Sequence, residues 1–246
     1  MLISVYSDST AIPRRDLVPL AGTWPEILVS NLRRQNANEI FLLNRSFGGV
    51  EFNVLLELFN KDSKYYYNLN SSNCFDFGSI CIFTSGIVDG SPRPITYKLK
   101  ILNKIPFLGN RLWNKIANYL HRYRPWIQSR FSYTPVSLKK YSVDLGKLAE
   151  VAKNLNIYVL LMETPTPHSR LELRSPGILK SIFDFNEIKR QTASSYENIE
   201  FVKVSDSFIE DYYISEDDGH HFNYEGHLAI AEILTEAILK ITNKHR

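Results

Sequence analysis

The chain opens Met1-Leu2-Ile3-Ser4-Val5-Tyr6-Ser7-Asp8-Ser9-Thr10. Leu2–Tyr6 reads as a buried strand that runs straight into a Ser-Asp-Ser-Thr turn. Further apolar runs of strand length stand at Ile40–Asn44, Ile80–Thr84, Ile157–Met162 and Phe201–Val204. Segments with helical spacing separate them. Trp24–Gln35 places Ile27, Leu28 and Leu32 on one side, and Val50–Phe59 turns Val54, Leu55 and Leu58 inward. Val143–Asn154 aligns Leu145, Leu148, Val151 and Ala152. Glu225–Ile241 carries Leu228, Ile230, Ala231, Leu234, Ile238 and Ile241 in register. Continuous apolar strands between helices predict a mostly parallel sheet covered on both faces. The expected fold is therefore α/β, a three-layer α/β/α sandwich around a central five-stranded sheet. Ligands of such sheets sit at the carboxyl ends of the strands. Ser9, Gly49 and Gly86 each fall just after a strand end, so one rim can gather them.

Composition bounds the class. With 246 residues, 44% hydrophobic and 22% charged, the chain has the size and balance of one globular domain spanning 1–246. No stretch of about 18 apolar residues is present, which excludes a helix that spans a membrane. Met1–Tyr6 is too short for a signal peptide and carries no basic leader. Cys74 and Cys81 are the only cysteines, and they show neither zinc spacing nor a disulfide framework. Cys81 lies in an apolar run and reads as a small buried hydrophobe. These features predict a cytoplasmic protein. Phe47-Gly48-Gly49 is too little for a phosphate-binding loop, and no cofactor is expected.

The other end of the chain supplies chemistry. Asp218-Gly219-His220-His221-Phe222-Asn223-Tyr224-Glu225-Gly226-His227 places a carboxylate and an imidazole three residues apart, ahead of the last helix. A serine hydroxyl is a weak nucleophile until a base takes its proton. The base in turn needs a carboxylate to fix its tautomer and stabilise its cation. Ser9, His221 and Asp218 are the candidate nucleophile, base and orienting acid. Two registers are open, because His220 has Asp217 at the same spacing. Ser9 has a second reading as a helix-cap or turn serine. His227 reads as a helix-face residue and His168 as a solvated loop residue. No carboxylate–histidine pairs share a helical face, so no metal site is expected.

These blocks resemble those of the SGNH (GDSL-type) hydrolases. That family ends its first strand with Gly-Asp-Ser, where this chain has Ser7-Asp8-Ser9. Its last block is Asp-x-x-His with a Gly five residues beyond, matched by Asp218, His221 and Gly226. Asn44-Arg45-Ser46-Phe47-Gly48-Gly49 stands where the family has its oxyanion-hole Gly. Gly86-Ile87-Val88-Asp89 stands where the family has Gly-x-Asn-Asp. The resemblance runs over almost the whole chain, and its first and last blocks are the more specific. It implies a flavodoxin-like SGNH sandwich and a serine esterase or O-acyltransferase. It selects Asp218 and His221 over the competing pair, and places backbone oxyanion donors at Ser9 and Gly49, with Gly48 competing. One position departs: Val88 replaces the donor Asn. The backbone around Gly86, a side chain such as Asn44 or Arg93, or a weakened or lost oxyanion hole would account for it. Asp8, Asn44, Asp89 and Arg93 are candidate substrate-binding residues. Arg93 could clamp a carboxylate or phosphate, or pair with Asp89. Relatives of this signal-free type are associated with surface polysaccharides, which implies an O-acetylated carbohydrate as substrate. A lipid ester and a catalytically inactive glycan-binding module are the alternatives.

One segment stands outside the alternation. From Gly90 to Val143 there is no Asp or Glu, but there are 11 of the 29 basic residues, interleaved with aromatics such as Trp113, Tyr119, Tyr123 and Trp126. The remaining 18 basic residues face 26 acidic ones, so the net charge of +3 conceals an asymmetry. The segment reads as a helical insertion, about 90–143, with a helix near Leu112–Arg122. It suits an anionic partner: an acidic glycan, a phosphorylated donor or an anionic membrane surface. A solvated subdomain is the plainer reading. No nucleic-acid motif accompanies the charge, and no nucleic-acid partner is expected. The sequence implies no oligomeric state.

Overall fold

The computed structural model describes residues 1–14, 18–35, 39–71, 79–94, 132–205 and 210–244, with positions 114, 115, 119, 123, 126 and 130. The strands are β1 (Leu2–Ser7), β2 (Phe41–Ser46), β3 (Ser79–Thr84), β4 (Arg93–Pro94), β5 (Ser132–Tyr133), β6 (Tyr158–Met162) and β7 (Ile199–Val202). The helices are α1 (Trp24–Gln35), α2 (Phe52–Ser71), α3 (Ile87–Gly90), α4 (Leu138–Asn154), α5 (Ser169–Arg174), α6 (Ile178–Ser195), α7 (Glu210–Tyr213) and α8 (Tyr224–Lys244). The main sheet has the order β2-β1-β3-β6-β7, and every pairing in it is parallel. β4 and β5 form a separate antiparallel ribbon.

Alternation along the strands feeds two cores. Ile3, Val5, Ile80, Ile82, Leu160 and Met162 point to one face, against Trp24, Leu28 and Leu32 of α1 and Ile230, Leu234 and Ile238 of α8. Tyr6, Cys81, Phe83, Val159 and Leu161 point to the other, against Phe52, Leu55, Leu145, Leu148 and Phe185 of α2, α4 and α6. Both faces are apolar, so the central strands read as continuous apolar runs. Burying each such large side chain contributes roughly 1.5–3 kcal/mol. One buried polar group is a connected network. Tyr6 Oη lies 2.7 Å from Tyr66 Oη and 3.1 Å from Asp62 Oδ2, and the Arg45 guanidinium binds both Asp62 oxygens at 3.0 Å.

Register sets the rim. Ser7 is level with Ser46 on one side and Thr84 on the other, so β1, β2 and β3 end together. The turns after them, at Ser9, Phe47–Gly49 and Ser85–Gly86, therefore gather at one edge.

Some elements differ from expectation. α2 continues to Ser71, well beyond a core face that looked complete at Phe59, and Tyr66 is a buried residue that extends it. The last strand is Ile199–Val202 rather than Phe201–Val204, because Ile199 and Val202 fill the core and pair with Val159 and Met162. α4 begins at Leu138, where Ser137 Oγ caps Lys140 N–H at 3.2 Å. α6 was not expected from the sequence. The expected helix Leu112–Arg122, and most of the insertion around it, lie outside the described residues. Among the described residues, no helix is long and apolar enough to cross a membrane.

Candidate active site

The first turn after β1 is built by Asp8. Its Oδ1 accepts Thr10 N–H at 3.0 Å and Thr10 Oγ1–H at 2.8 Å, which closes a single 3-10 turn over Ser9–Ala11. Ser7 Oγ bonds Thr84 Oγ1 across the sheet, locking the ends of β1 and β3 together. Asp8 is almost wholly buried, and burial holds its carboxyl above the usual range, against the Thr10 bonds and the nearby His220 and His221. Its carboxylate thus braces the turn, and the hydroxyl of Ser9 is left pointing outward.

The opposing loop spans Ile214 to Phe222, which meet in an antiparallel bridge. Ser215 N–H donates to His221 O at 2.8 Å, Gly219 N–H to Ser215 O at 2.9 Å, and Asn223 N–H to Tyr213 O at 3.0 Å. Inside this frame Asp218 Oδ1 accepts the N–H groups of His220 and His221, at 3.1 and 3.0 Å. Its Oδ2 lies 2.8 Å from His221 Nδ1, and His221 Nε2 lies 2.7 Å from Ser9 Oγ. Burial acts to raise the Asp218 carboxyl. The His221 side-chain bond and the two backbone bonds outweigh it and hold the group far below the usual carboxylate range. An ionised Asp218 fixes the His221 proton on Nδ1 and leaves the Nε2 lone pair facing the serine. Such a line can take the Ser9 proton as the oxygen attacks a carbonyl, and can stabilise the imidazolium that results.

His220 lies beside this line. Its ring lies against that of His221, tilted by 40° with centroids 4.0 Å apart, and its Nδ1 sits 3.3 Å from the Asp218 carbonyl and 3.5 Å from its Oδ1. Burial, and then the His221 charge, lower its pKa. Asp218, His220 and His221 bring three ligand-type atoms within 4.8 Å. Within this cluster Asp218 Oδ2 and His221 Nδ1 are already bonded to each other.

The other candidate residues take varied places. Gly48 and Gly49 are exposed in the loop after β2, which Phe47 N–H ties to Ser7 O at 3.1 Å. Asn44 is on the edge strand β2, where its Oδ1 accepts Ser46 Oγ–H. Asp89 is fully buried: Oδ1 accepts Phe52 N–H at 2.7 Å, and Oδ2 accepts Gly86 N–H at 3.1 Å. Burial pushes its pKa up to about 6 despite those bonds. The Asp89 carboxylate thus fastens the β3–α3 turn, and the Gly86 N–H is committed to it. Val88 is half-buried against Ile87, Ile178 and Ile182 and offers no side-chain donor. Arg93 stands in the β4–β5 ribbon opposite Tyr133.

Two histidines are structural. His227 is buried in the first turn of α8, and its Nδ1 accepts Trp24 N–H at 3.1 Å. His168, expected in solvent, is buried instead. Its N–H donates to Gly219 O at 3.0 Å and its Nδ1 accepts Arg170 N–H at 3.2 Å, so it caps α5 and seats the loop of Asp218.

Two further residues were not singled out from the sequence. Lys189 of α6 is buried, and its ammonium donates to Ser85 O at 2.5 Å, Met162 O at 2.9 Å and Thr164 Oγ1 at 2.9 Å. It ties the ends of β3 and β6, and burial pulls its pKa down to about 8. A signal existed: Ile178, Ile182, Phe185 and Lys189 follow helical spacing, so the lysine falls on an inward stripe. Arg14 places Nη1 2.8 Å from Asp218 Oδ2, and no spacing in the sequence announces that contact.

A parallel five-stranded sheet with helices on both faces is the fold of the SGNH/GDSL lipolytic hydrolases, and comparison with solved structures bears that fold out. A lipase/acylhydrolase from Enterococcus faecalis is similar with a TM-score of 0.60 and 12% identity, over 96% of this chain and 94% of that one. The psychrotrophic esterase EstA from Pseudoalteromonas sp. has a TM-score of 0.59 and 15% identity, over 98% of both chains. A member of the lipolytic protein G-D-S-L family from Veillonella parvula has a TM-score of 0.55 and 15% identity, over 96% of both. No family model matches the sequence, and no curated protein is significantly similar to it.

Proposed function

We propose that this protein is a serine carboxylic-ester hydrolase, with Ser9 as nucleophile, His221 as general base and Asp218 as its orienting acid. The observation that carries the reading is the unbroken line from Asp218 Oδ2 through both ring nitrogens of His221 to Ser9 Oγ, at 2.8 and 2.7 Å. Ser9 Oγ attacks the acyl carbonyl and its proton passes to His221 Nε2. The tetrahedral intermediate expels the alcohol, which takes that proton, and leaves an acyl-Ser9 ester. Water, deprotonated by His221, then releases the acid. A hydroxyl acceptor in place of water makes the same site an O-acyltransferase. The N–H groups of Ser9 and Gly49 are the oxyanion donors of this scheme. The proposed substrate is an O-acetylated carbohydrate, in surface-polysaccharide modification. The sequence resemblance supports it, and aromatics interleaved with cations between positions 90 and 143 also suit sugar stacking.

A specific observation favours a second reading. Val88 offers no donor and the Gly86 N–H is bonded to Asp89, so one oxyanion contact is missing on that side. Losing such a donor costs about 2.7–4 kcal/mol of transition-state stabilisation, which would suit a slow enzyme or a glycan-binding module. Turnover of p-nitrophenyl acetate by the wild type and by Ser9→Ala, with mass mapping of a fluorophosphonate adduct, separates these. Turnover that depends on Ser9, with one adduct on Ser9, is expected. Equal rates and no adduct would leave a pocket too selective for small probes, or a site disabled at Val88.

A further inference from the structure

We propose that Arg14 is a positioning residue for the site, holding the Asp218 carboxylate in the orientation that His221 requires. The inference rests on the triad reading above. Its basis is a division of labour at one carboxylate. Asp218 Oδ1 is saturated from within its own loop by the N–H groups of His220 and His221. Oδ2, the oxygen that faces the imidazole, is touched from outside that loop by the Arg14 guanidinium at 2.8 Å. Arg14 Nη1 and His221 Nδ1 share that oxygen, so they are no farther apart than twice 2.8 Å.

The arginine is delivered by a built element. Arg14 and Val18 exchange both backbone hydrogen bonds, each at 2.9 Å, in an antiparallel bridge, and Val18 is wholly buried. Arg14 Nη1 is itself buried and makes no well-aligned hydrogen bond. A buried guanidinium nitrogen is costly unless a charge answers it, and the Asp218 carboxylate is the group in contact. The loop has two other arginine contacts, of a different kind. Arg170 Nη1 meets Glu216 Oε2 at 3.1 Å with both side chains about two-thirds exposed, and Arg174 Nη1 reaches the Asp217 carbonyl at 3.3 Å. Exposed pairs of that sort hold little. The Arg14 contact is three-quarters buried on both sides and falls on the one side chain whose angle sets the imidazole. A small tilt of that carboxylate turns the His221 ring away from Ser9, and misplacement of about 1 Å can cost 10²-fold in rate.

The test compares Arg14→Ala, Arg14→Lys and wild type by kcat and KM on p-nitrophenyl acetate, with thermal melts as a folding control. The Ala variant loses on the order of tenfold in kcat while KM stays within about twofold. Millimolar ethylguanidinium, or the Lys variant, restores part of the loss. An Ala variant that turns over like the wild type overturns the proposal, as does a loss in KM alone or one that neither rescue reverses. Should the Ala variant fail to fold, Arg14→Gln keeps much of the stem and is judged by the same criteria. Ser9→Ala is run alongside. If wild-type turnover does not depend on Ser9, the triad reading itself falls and the role of Arg14 with it. If only the Arg14 effects are missing, the triad reading stands.

Discussion

Replacing His227 by Asn removes about 3 kcal/mol of acid sensitivity between neutral pH and pH 4. His227 is buried under α8 with Nδ1 accepting the Trp24 N–H, an acceptor role that only the neutral ring can fill. Burial, and then the charge of His221, pull its pKa from 6.5 down to about 4. Between those two values the unfolded chain binds a proton that the folded chain refuses, so stability falls as pH falls. The loss is about 2 kcal/mol by pH 5 and about 3 kcal/mol by pH 4. Asp89 acts with the opposite sign. Its folded pKa of about 6 lies above the ordinary 3.8, so the folded state takes up its proton first and gains as pH drops through that window. Wild-type acid denaturation mixes the two, and the informative quantity is the difference between wild type and His227→Asn. Asn places its Oδ1 near the lost Nδ1 and does not titrate. Losing the edge contact with Phe222, at 5.6 Å between centroids, adds an offset that does not depend on pH. Urea unfolding at pH 7, 6, 5 and 4 measures the difference. Curves that stay parallel within about 0.5 kcal/mol would refute the reasoning, since the buried ring would then carry no linkage.

Other substitutions probe the frame of the site. Gly226→Ala puts a Cβ 2.2 Å from the Tyr213 carbonyl oxygen, at the neck of the loop that carries Asp218 and His221. We expect about 2–3 kcal/mol of destabilisation, a melting temperature lower by about 5–10 °C and reduced turnover; an unchanged melt would show that α8 can retreat freely. Gly86→Ala is strained twice, by φ of +119° and by Thr164 Oγ1 at 2.8 Å, which is itself bonded to Ser85 O and Lys189. A loss of about 1–3 kcal/mol in chemical denaturation is expected, and a neutral result would mean the β3–α3 turn is not held as described. Cys81 is buried and its thiol is pushed up to about 12, so in a Cys74→Ser background a thiol reagent reacts only after unfolding. Prompt reaction of the native protein would contradict the closed core.

The central strands were legible for a physical reason. Residues of β1, β3 and β6 fill both faces of the sheet, so composition alone marks them. α6 was not, because Lys189 interrupts its apolar stripe, and a lysine is ordinarily read as solvent-facing. In fact Lys189 is as buried as its neighbour Phe185. The shift of β7 has a similar origin. Phe201-Val202-Lys203-Val204 looks like the run, whereas pairing with β6 runs from Ile199 to Val202, and the N–H of the buried Val204 turns to Glu163 Oε2 instead. At the site, spacing put Ser9 and the 217–221 segment forward, and the family resemblance preferred His221 and Asp218 over His220 and Asp217. Asp8 and Asp89 looked available to a substrate, but each sits beside a tight turn whose N–H groups need an acceptor, and the carboxylates turn inward to meet them. Arg14 depended on a contact between the first and last loops of the described chain, which no local pattern encodes.

The strand order also has a consequence for biosynthesis. β1 lies between β2 and β3, and Ser9, in the turn after it, meets His221 only when residues 218–221 arrive. On the proposed mechanism, a growing chain holds Ser9 long before His221 emerges, so no product that stops short of His221 cleaves esters. Activity waits on a slow, long-range docking step.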